Sequence, residues 1–406
     1  MYLTFAWRYF KAKKSANAIN IIAWVTTAVI AFATCCQVLV LSVFNGFEDL
    51  VKSLYSSFYT DLRLVPKDGK TFVLKQSQLA RIREQPYLKD IAMIVQEKAL
   101  LQNGESQTVI NLKGVDEHYT NVSGVPAKIT NGTFETGTAE NPELVIGYGL
   151  QNAADISVNE TFAPEQLTLI LPKKNSSSSD PTASISEGNA VATSVFAIQQ
   201  DFDNNYAITN VDFVKQQMGM GANEFTAAEI KLKYGEDLEE SQERLQQVVG
   251  GAYTVQTRFQ QNMSLYNTMR MEKWAIYAVL TLILIIAAFN VVSALTMLVL
   301  EKKKDISILQ SMGGNQALIK KIFLSEGLLL GFVGAAAGIF LAAAICLIQI
   351  KFKLIKLQGG SFLIDYFPVK LVLSDFILVA GTAAAIALLA SLVPAIKASR
   401  QSISLR

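Results

Sequence analysis

The chain has 406 residues, of which 51% are hydrophobic and only 17% charged, a balance outside the range of soluble globular proteins. Its formal net charge of +2, with no basic stripe in the polar part, argues against a nucleic-acid partner. A single histidine, His118, leaves too few titratable groups for a Ser/His/Asp triad or a histidine-based metal site, so no catalytic machinery is expected.

In chain order, residues 1–17 come first. Phe5, Trp7, Tyr9 and Phe10 are combined there with Arg8, Lys11, Lys13 and Lys14, the composition of an interfacial helix lying among headgroups. A charge-free run at 15–47 exceeds the roughly 20 residues that cross a bilayer. It is too long for the apolar core of a signal peptide, and no small-residue cleavage site follows it. Apolar residues continue at helical period through Phe47, Leu50, Val51, Leu54 and Phe58, so 18–57 is read as transmembrane helix 1 with a stalk extension.

Most of the charge lies between this span and the next. Strand-like runs at 61–65, 91–101, 108–113, 144–146, 167–171, 191–198 and 229–233 alternate with helical runs at 77–85 and 209–218, predicting an α+β domain over 58–257. Residues 173–189, KKNSSSSDPTASISEGN, read as a low-complexity surface loop. A charged helix closes at Gly250-Gly251 and a strand follows at 253–256. The stretch 258–301 then reads as one helix about 65 Å long, half stalk and half transmembrane helix 2. Helices that enter a domain without a flexible linker suit a device that transmits movement. His118, beside Asp116 and Glu117, reads as a solvated loop residue, and Gly69-Lys70-Thr71 has Leu64 where a P-loop needs its first glycine. Cys35, Cys36 and Cys346 all fall in spans, so the domain folds without disulfides.

Beyond the second span, residues 302–321 begin with a short helix whose apolar face is formed by Ile306, Leu309 and Met312, with Ile308, and which Gly313-Gly314 stop. With no core expected there, the helix either lies on the membrane surface or docks into another protein. The third span, 322–350, carries Gly327, Gly331, Gly334 and Gly338 as two small-xxx-small pairs suited to close helix packing. A loop at 351–371 leads to the fourth span, 372–396, where Pro394 is expected to bend or end the helix, and a tail occupies 397–406. Four spans place both termini on one side. That side collects Arg8, Lys11, Lys13, Lys14, Lys302, Lys303, Lys304, Lys320, Lys321, Lys397, Arg400 and Arg406, twelve in all, against Lys351, Lys353, Lys356 and Lys370 on the other. The richer side is expected to be cytoplasmic and the large domain extracytoplasmic.

The segments WRYFKAKK, VLSVFNGFEDLV, AAFNVVSALTMLVLEKKKDISILQSMGG, IFLSEGLLLGFVGAAAG and VPAIKASR resemble the four-span permeases of lipoprotein-releasing (Lol-type) ABC transporters, within the group that includes FtsX-like and MacB-like proteins. They follow the family's order from near the first residue to near the last. The resemblance implies a polytopic α-helical membrane protein of the bacterial inner membrane with four transmembrane helices and a large α+β, porter/sabre-like domain in the periplasm. It implies a permease that extracts lipoproteins from the membrane and passes them to a periplasmic lipoprotein carrier. Its partners would be a cytoplasmic ABC ATPase dimer, a second permease of the same or another kind, the lipoprotein cargo and membrane lipid. ATP and Mg would sit on the ATPase, with no cofactor or metal on this chain.

The resemblance also makes 305–312 a coupling helix, with Glu301, Asp305, Ile306, Leu309, Met312 and Gly313 at the ATPase contact. It implies a cargo cavity lined by Val40, Val43, Phe44 and Phe47 of the first span and by Tyr266, Met269 and Trp274 of the second. The tail QSISLR departs from the Pro-Val-Glu common in the wider group. Two alternatives are an FtsX-like regulator of a cell-wall hydrolase, for which the outer domain is large, and a MacB-like mechanotransmission or export permease, which would carry a fused ATPase domain.

Overall fold

The computed structural model describes residues 17–158, 165–174, 184–356 and 366–400. Of the interfacial helix expected at 1–17 all but residue 17, together with the serines at 176–179 and the tail from 401, lie outside the described residues. The chain divides into two compact units, Met1–Leu50 with Asn267–Arg406, and Val51–Tyr266.

The first unit is built from helices that are long and apolar enough to cross a membrane: α1 (Asn17–Phe58), α2 (Met263–Glu301), α4 (Gln316–Phe352) and α5 (Leu373–Ser399), with the short α3 (Lys303–Ser311) between the second and third. Their shared core contains Ile30, Leu284, Val291, Leu295, Leu330 and Ala383. Small residues let the backbones approach. A Cβ at Gly331 would lie 2.3 Å from Ala387 Cβ, and one at Gly327 2.3 Å from Ser391 Cβ, so that part of α4 lies directly against α5. Further along α4, a Cβ at Gly334 would lie 2.9 Å from Thr27 O and one at Gly338 2.3 Å from Ala31 O, both on α1. A Cβ at Gly327 would also lie 2.8 Å from Leu295 Cδ1 on α2, so the four glycines face three neighbouring helices. Pro394 lies inside α5, which continues to Ser399 rather than ending at the proline, as membrane helices with packed neighbours tolerate.

The second unit is a mixed sheet with helices on it. Its strands are β1 (Leu62–Pro66), β2 (Phe72–Val73), β3 (Leu88–Asn103), β4 (Ser106–Val115), β5 (Ile129–Asn131), β6 (Glu143–Gly147), β7 (Gln166–Pro172), β8 (Ile185–Phe196), β9 (Tyr206–Asn210), β10 (Glu224–Phe225), β11 (Ala227–Leu232) and β12 (Tyr253–Thr257). Ten of them form one sheet in the order β12-β1-β11-β3-β4-β9-β6-β8-β5, with β7 pairing both β3 and β8, while β2 and β10 pair separately. Among the described residues, only β4 with β9 and β6 with β8 run parallel. Alternation along β3 sorts its side chains. Ile91 and Met93 join Leu62, Leu64 and Ile230 in one cluster, and Ala92 and Ile94 join Phe58, Tyr119 and Phe202 in another.

Several boundaries differ from the sequence expectation. The run 209–218 splits into the end of β9 and the helix Val211–Met218, because the Asn210 side chain accepts from the N–H groups of Asp212 and Phe213 and caps the helix there. Residues 185–189, expected as loop, are the first half of β8, held by pairing with β7 from Thr168 to Pro172. The long helix from 258 is interrupted. Arg258–Gln261 is a separate turn closed by a capping box between Thr257 and Gln260. Asn262 leaves helical geometry at φ −135 and ψ 56, and its side chain accepts from Leu265 N–H as α2 begins.

Candidate functional site

Local chemistry explains the turn that positions α3. Lys302 precedes it and donates to Asp305 at 2.9 Å. At the far end Gly313 adopts φ +91, open to glycine at little cost, and a Cβ at Gly314 would lie 2.7 Å from Leu309 O. Asn315 then caps α4 by accepting from Leu318 N–H at 2.8 Å. Lys302, Gly313-Gly314 and Asn315 therefore bound α3 as a separate short helix between α2 and α4.

The face it presents is not the expected one. Ile306 is only 3% exposed and shares a buried cluster with Leu298, Val299, Ile319 and Ala395. Contrary to expectation, the ends of α2, α4 and α5 supply a core for it there. Leu309 is half-buried, whereas Ile308 is 59% and Met312 80% exposed, one helical turn apart. Of the expected docking residues, Glu301, Met312 and Gly313 are exposed; Asp305 is half-buried and paired with Lys302.

On α1, Val38, Leu41 and Asn45 are buried inside the membrane unit. Val40 is exposed, and Val43, Phe44 and Phe47 are half-buried. Phe47 meets Phe367 edge-on at 5.9 Å, so the loop before α5 already covers part of its ring. α1 rests on α2 through Gln37 Nε2 donating to Thr281 Oγ1 at 3.2 Å and Thr26 Oγ1 donating to Asn290 O at 3.4 Å. On α2, Met269 is half-buried and Trp274 exposed, its ring edge-on to Tyr277 at 5.8 Å. Tyr266 belongs to the other unit, where it meets Phe259 edge-on at 5.1 Å. Exposed apolar surface on α1 and α2 fits lipid or an acyl chain.

Sequence reasoning missed a socket in the second unit. Phe58, the last residue of α1, stacks on Phe202 at 4.3 Å and meets Tyr206 at 4.6 Å, while Tyr55 donates its hydroxyl to Asp201 at 2.6 Å. Lys113 lies beneath, with Nζ 4.7 Å from the Phe58 ring centre and 2.8 Å from a Glu229 oxygen, both charged side chains sealed from solvent. Burial pushes the Lys113 ammonium below its ordinary range although Glu229 opposes the shift, and it drives the neighbouring Tyr119 hydroxyl well up. The run Tyr55-Ser-Ser-Phe58-Tyr59, aromatics at i, i+3 and i+4, was the available signal. The arrangement can hold the last two turns of α1 rigidly; nothing in it suits bond chemistry.

Residues 23–248 match a family model described as MacB-like periplasmic core domain, and residues 277–403 match one described as FtsX-like permease C-terminal. Among curated relatives, the lipoprotein-releasing system transmembrane protein LolE of Haemophilus influenzae is 26% identical over 97% of this chain and 96% of its own length. LolC of Xylella fastidiosa, of the same system, is 23% identical over 97% and 95%. Among solved structures, the periplasmic region of MacB from Actinobacillus actinomycetemcomitans aligns with 54% of this chain and 98% of its own, at 13% identity and a TM-score of 0.36. Among the described residues there are four candidate membrane spans, with a periplasmic-type α+β core domain inserted between the first and second.

Proposed function

The chain belongs to the family with a MacB-like periplasmic core domain, and from that premise we propose that it is a transmembrane permease subunit of an ABC transporter that releases lipoproteins from the inner membrane. The observation that carries this reading is similarity along 97% of the chain, both units included, to proteins named as parts of a lipoprotein-releasing system. Physical chemistry says why such a device is needed. Each buried CH2 of a lipid anchor contributes roughly 0.8 kcal/mol, so a multiply acylated protein does not leave a bilayer without coupled work.

That work comes from an ATPase dimer on separate chains, which holds ATP and Mg and docks on α3. The exposed pair Ile308 and Met312 on this short helix supports this role. A second permease, identical or not, completes the cavity, and the released lipoprotein passes to a periplasmic carrier. The termini and α3 lie in the cytoplasm and the 51–266 unit in the periplasm, as the excess of Lys and Arg on the former side favours.

Purification from the native membrane, followed by identification of co-purifying chains and reconstitution with a carrier, tests the proposal. An ABC ATPase together with lipoproteins, and ATP-dependent release in vesicles, are expected. Recovery of a cell-wall hydrolase without lipoprotein release overturns it in favour of the FtsX-like regulator.

A further inference from the structure

At the end of the membrane unit from which the chain runs into residues 51–266, polar groups from three spans converge. Asp375, in the first turn of α5, is 8% exposed and Asn45 on α1 is 4% exposed. Asn45 Nδ2 donates to Asp375 Oδ2 at 2.6 Å. Lys273 Nζ, on α2, donates to Asn45 Oδ1 at 2.8 Å and to Asp375 Oδ2 at 3.2 Å. Each of the three side chains therefore satisfies the other two.

The segment leading into α5 repeats the tie to α1. Lys370 N–H donates to Ser42 O at 3.0 Å, and the Lys370 ammonium pairs with Asp49. A Cβ at Gly46 would lie 2.3 Å from Pro368 O, so only glycine admits the segment there. Gln349, near the end of α4, donates to the carbonyl oxygens of Ile355 and Phe367 and accepts from Ile355 N–H.

Fold stability alone does not call for such a cluster. Asp375 and Asn45 are buried and Lys273 is half-buried; taking a carboxylate out of water costs several kcal/mol that pairing only offsets, and apolar residues of the same shape pack as well or better. An ion pair adds direction. It defines one rotation of each helix that carries it, and its members stand at the edges of otherwise charge-free runs, Lys273 before 274–300 and Asp375 before 376–396. On α1 the buried positions Leu41 and Asn45 lie one turn apart, and their orientation decides where Val40, Val43 and Phe44 point.

We propose that Asn45, Lys273 and Asp375 form a polar latch that sets the rotation of α1 against α2 and α5, and are positioning residues for lipoprotein release because they aim the Val40, Val43 and Phe44 face at the cargo's acyl chains. The role in release rests on the function proposed above; the latch itself does not.

The test uses the complete transporter, ATPase included, in proteoliposomes. Asp375→Asn keeps the shape and removes the charge, Lys273→Met removes the other, and Lys273→Asp with Asp375→Lys reverses the pair. Each single variant is expected to retain the ATPase yet release about tenfold less lipoprotein per ATP hydrolysed, with the reversed pair recovering most of the loss. Separately, a cysteine replacing Val43 in a background without Cys35, Cys36 and Cys346 reports helix rotation by its rate of reaction with a bilayer-soluble thiol reagent. That rate is expected to shift in the single variants and return in the reversed pair. An unchanged Val43 rate in both single variants, or a reversed pair as far shifted as either, overturns the latch. A wild-type complex that releases no lipoprotein overturns the function instead, and the Val43 rates still decide the latch.

Discussion

Lys113 and Glu229 are sealed in the outer unit with side chains 1% and 3% exposed. Removing one partner leaves the other charged and buried, whereas removing both exchanges an ion pair for apolar packing. Glu229→Ala is therefore expected to destabilise the unit by about 3 to 5 kcal/mol, while Lys113→Met with Glu229→Leu stays near wild type. Thermal unfolding of the purified proteins separates the two outcomes. Asp90 gives a pH-dependent counterpart. Burial pushes its carboxyl up, but Asn121 Nδ2 at 2.9 Å, its own neighbour Ile91 N–H at 2.8 Å and the His118 ring at 3.3 Å outweigh burial and hold it below the ordinary range. His118, read from sequence as a solvated loop residue, is thus a partner of Asp90. An acid whose folded value is depressed contributes stability that is present above its unfolded value, near 3.9, and lost as pH falls through the folded one. Asp90→Asn should lower the unfolding temperature at pH 7, and the gap to wild type should close as the pH is taken down through that window.

At the scale of elements, the clearest expectation concerns α3. Ile308→Asp and Met312→Asp place charge on exposed positions and should leave the membrane unit folded while abolishing ATPase retention on purification. Ile306→Asp buries an unpaired carboxylate among Leu298, Val299 and Ile319 and should reduce the yield of inserted protein before docking is at issue. Retention of the ATPase by the Ile308 and Met312 variants would return α3 to an interfacial helix. Helix packing makes a second comparison. Gly331→Ala puts a methyl 2.3 Å from Ala387 Cβ, whereas nothing lies within 4 Å of a Cβ at Gly381, so the first should cost about 1 to 3 kcal/mol and the second little or nothing in detergent unfolding.

The spans were legible in the sequence because length and absence of charge are properties of single segments. The β3 and β4 hairpin was legible because the apolar run Ile91 to Val95 and the β-branched Thr108, Val109 and Ile110 mark its two strands. β2, β5 and β10 are too short to alternate, and β9 was hidden by the helical pattern that starts at its own last residue, Asn210. The exposed side of α3 was not legible, since Ile306, Ile308, Leu309 and Met312 surround much of the helix and the choice depends on segments far away in the chain. Asn45, Lys273 and Asp375 are each unremarkable in their own sequence context. Only the packing of α1, α2 and α5 makes them one group.

At the scale of the whole molecule, the first expectation is sidedness. Tyr234 is fully exposed in the 51–266 unit and Asn315 is exposed between α3 and α4. Cysteines at these positions, in the background without the three native ones, should label oppositely with an impermeant thiol reagent in cells with a permeabilised outer membrane, Tyr234→Cys reacting and Asn315→Cys protected. The reverse pattern would invert the orientation and remove the proposed transport with it. The last expectation is where the acyl chains go. In a pair of permeases the cargo cavity would need apolar side chains that its own subunit leaves uncovered, and on α1 Val40, Val43 and Phe44 meet that condition better than Phe47, whose ring already meets Phe367. A charge at Val43 or Phe44 costs up to about 3 kcal/mol at membrane depth and less near the interface. That is little against the rest of a four-helix unit but much against an acyl chain that must lie on the same surface. Val43→Asp and Phe44→Asp should therefore reduce lipoprotein release several-fold while sparing insertion and ATPase retention. A photo-crosslinking residue at either position should capture lipoprotein before ATP is added and lose it once ATP is hydrolysed. Crosslinks formed only with phospholipid, or only within the chain, would place the acyl path elsewhere and leave the permease assignment standing.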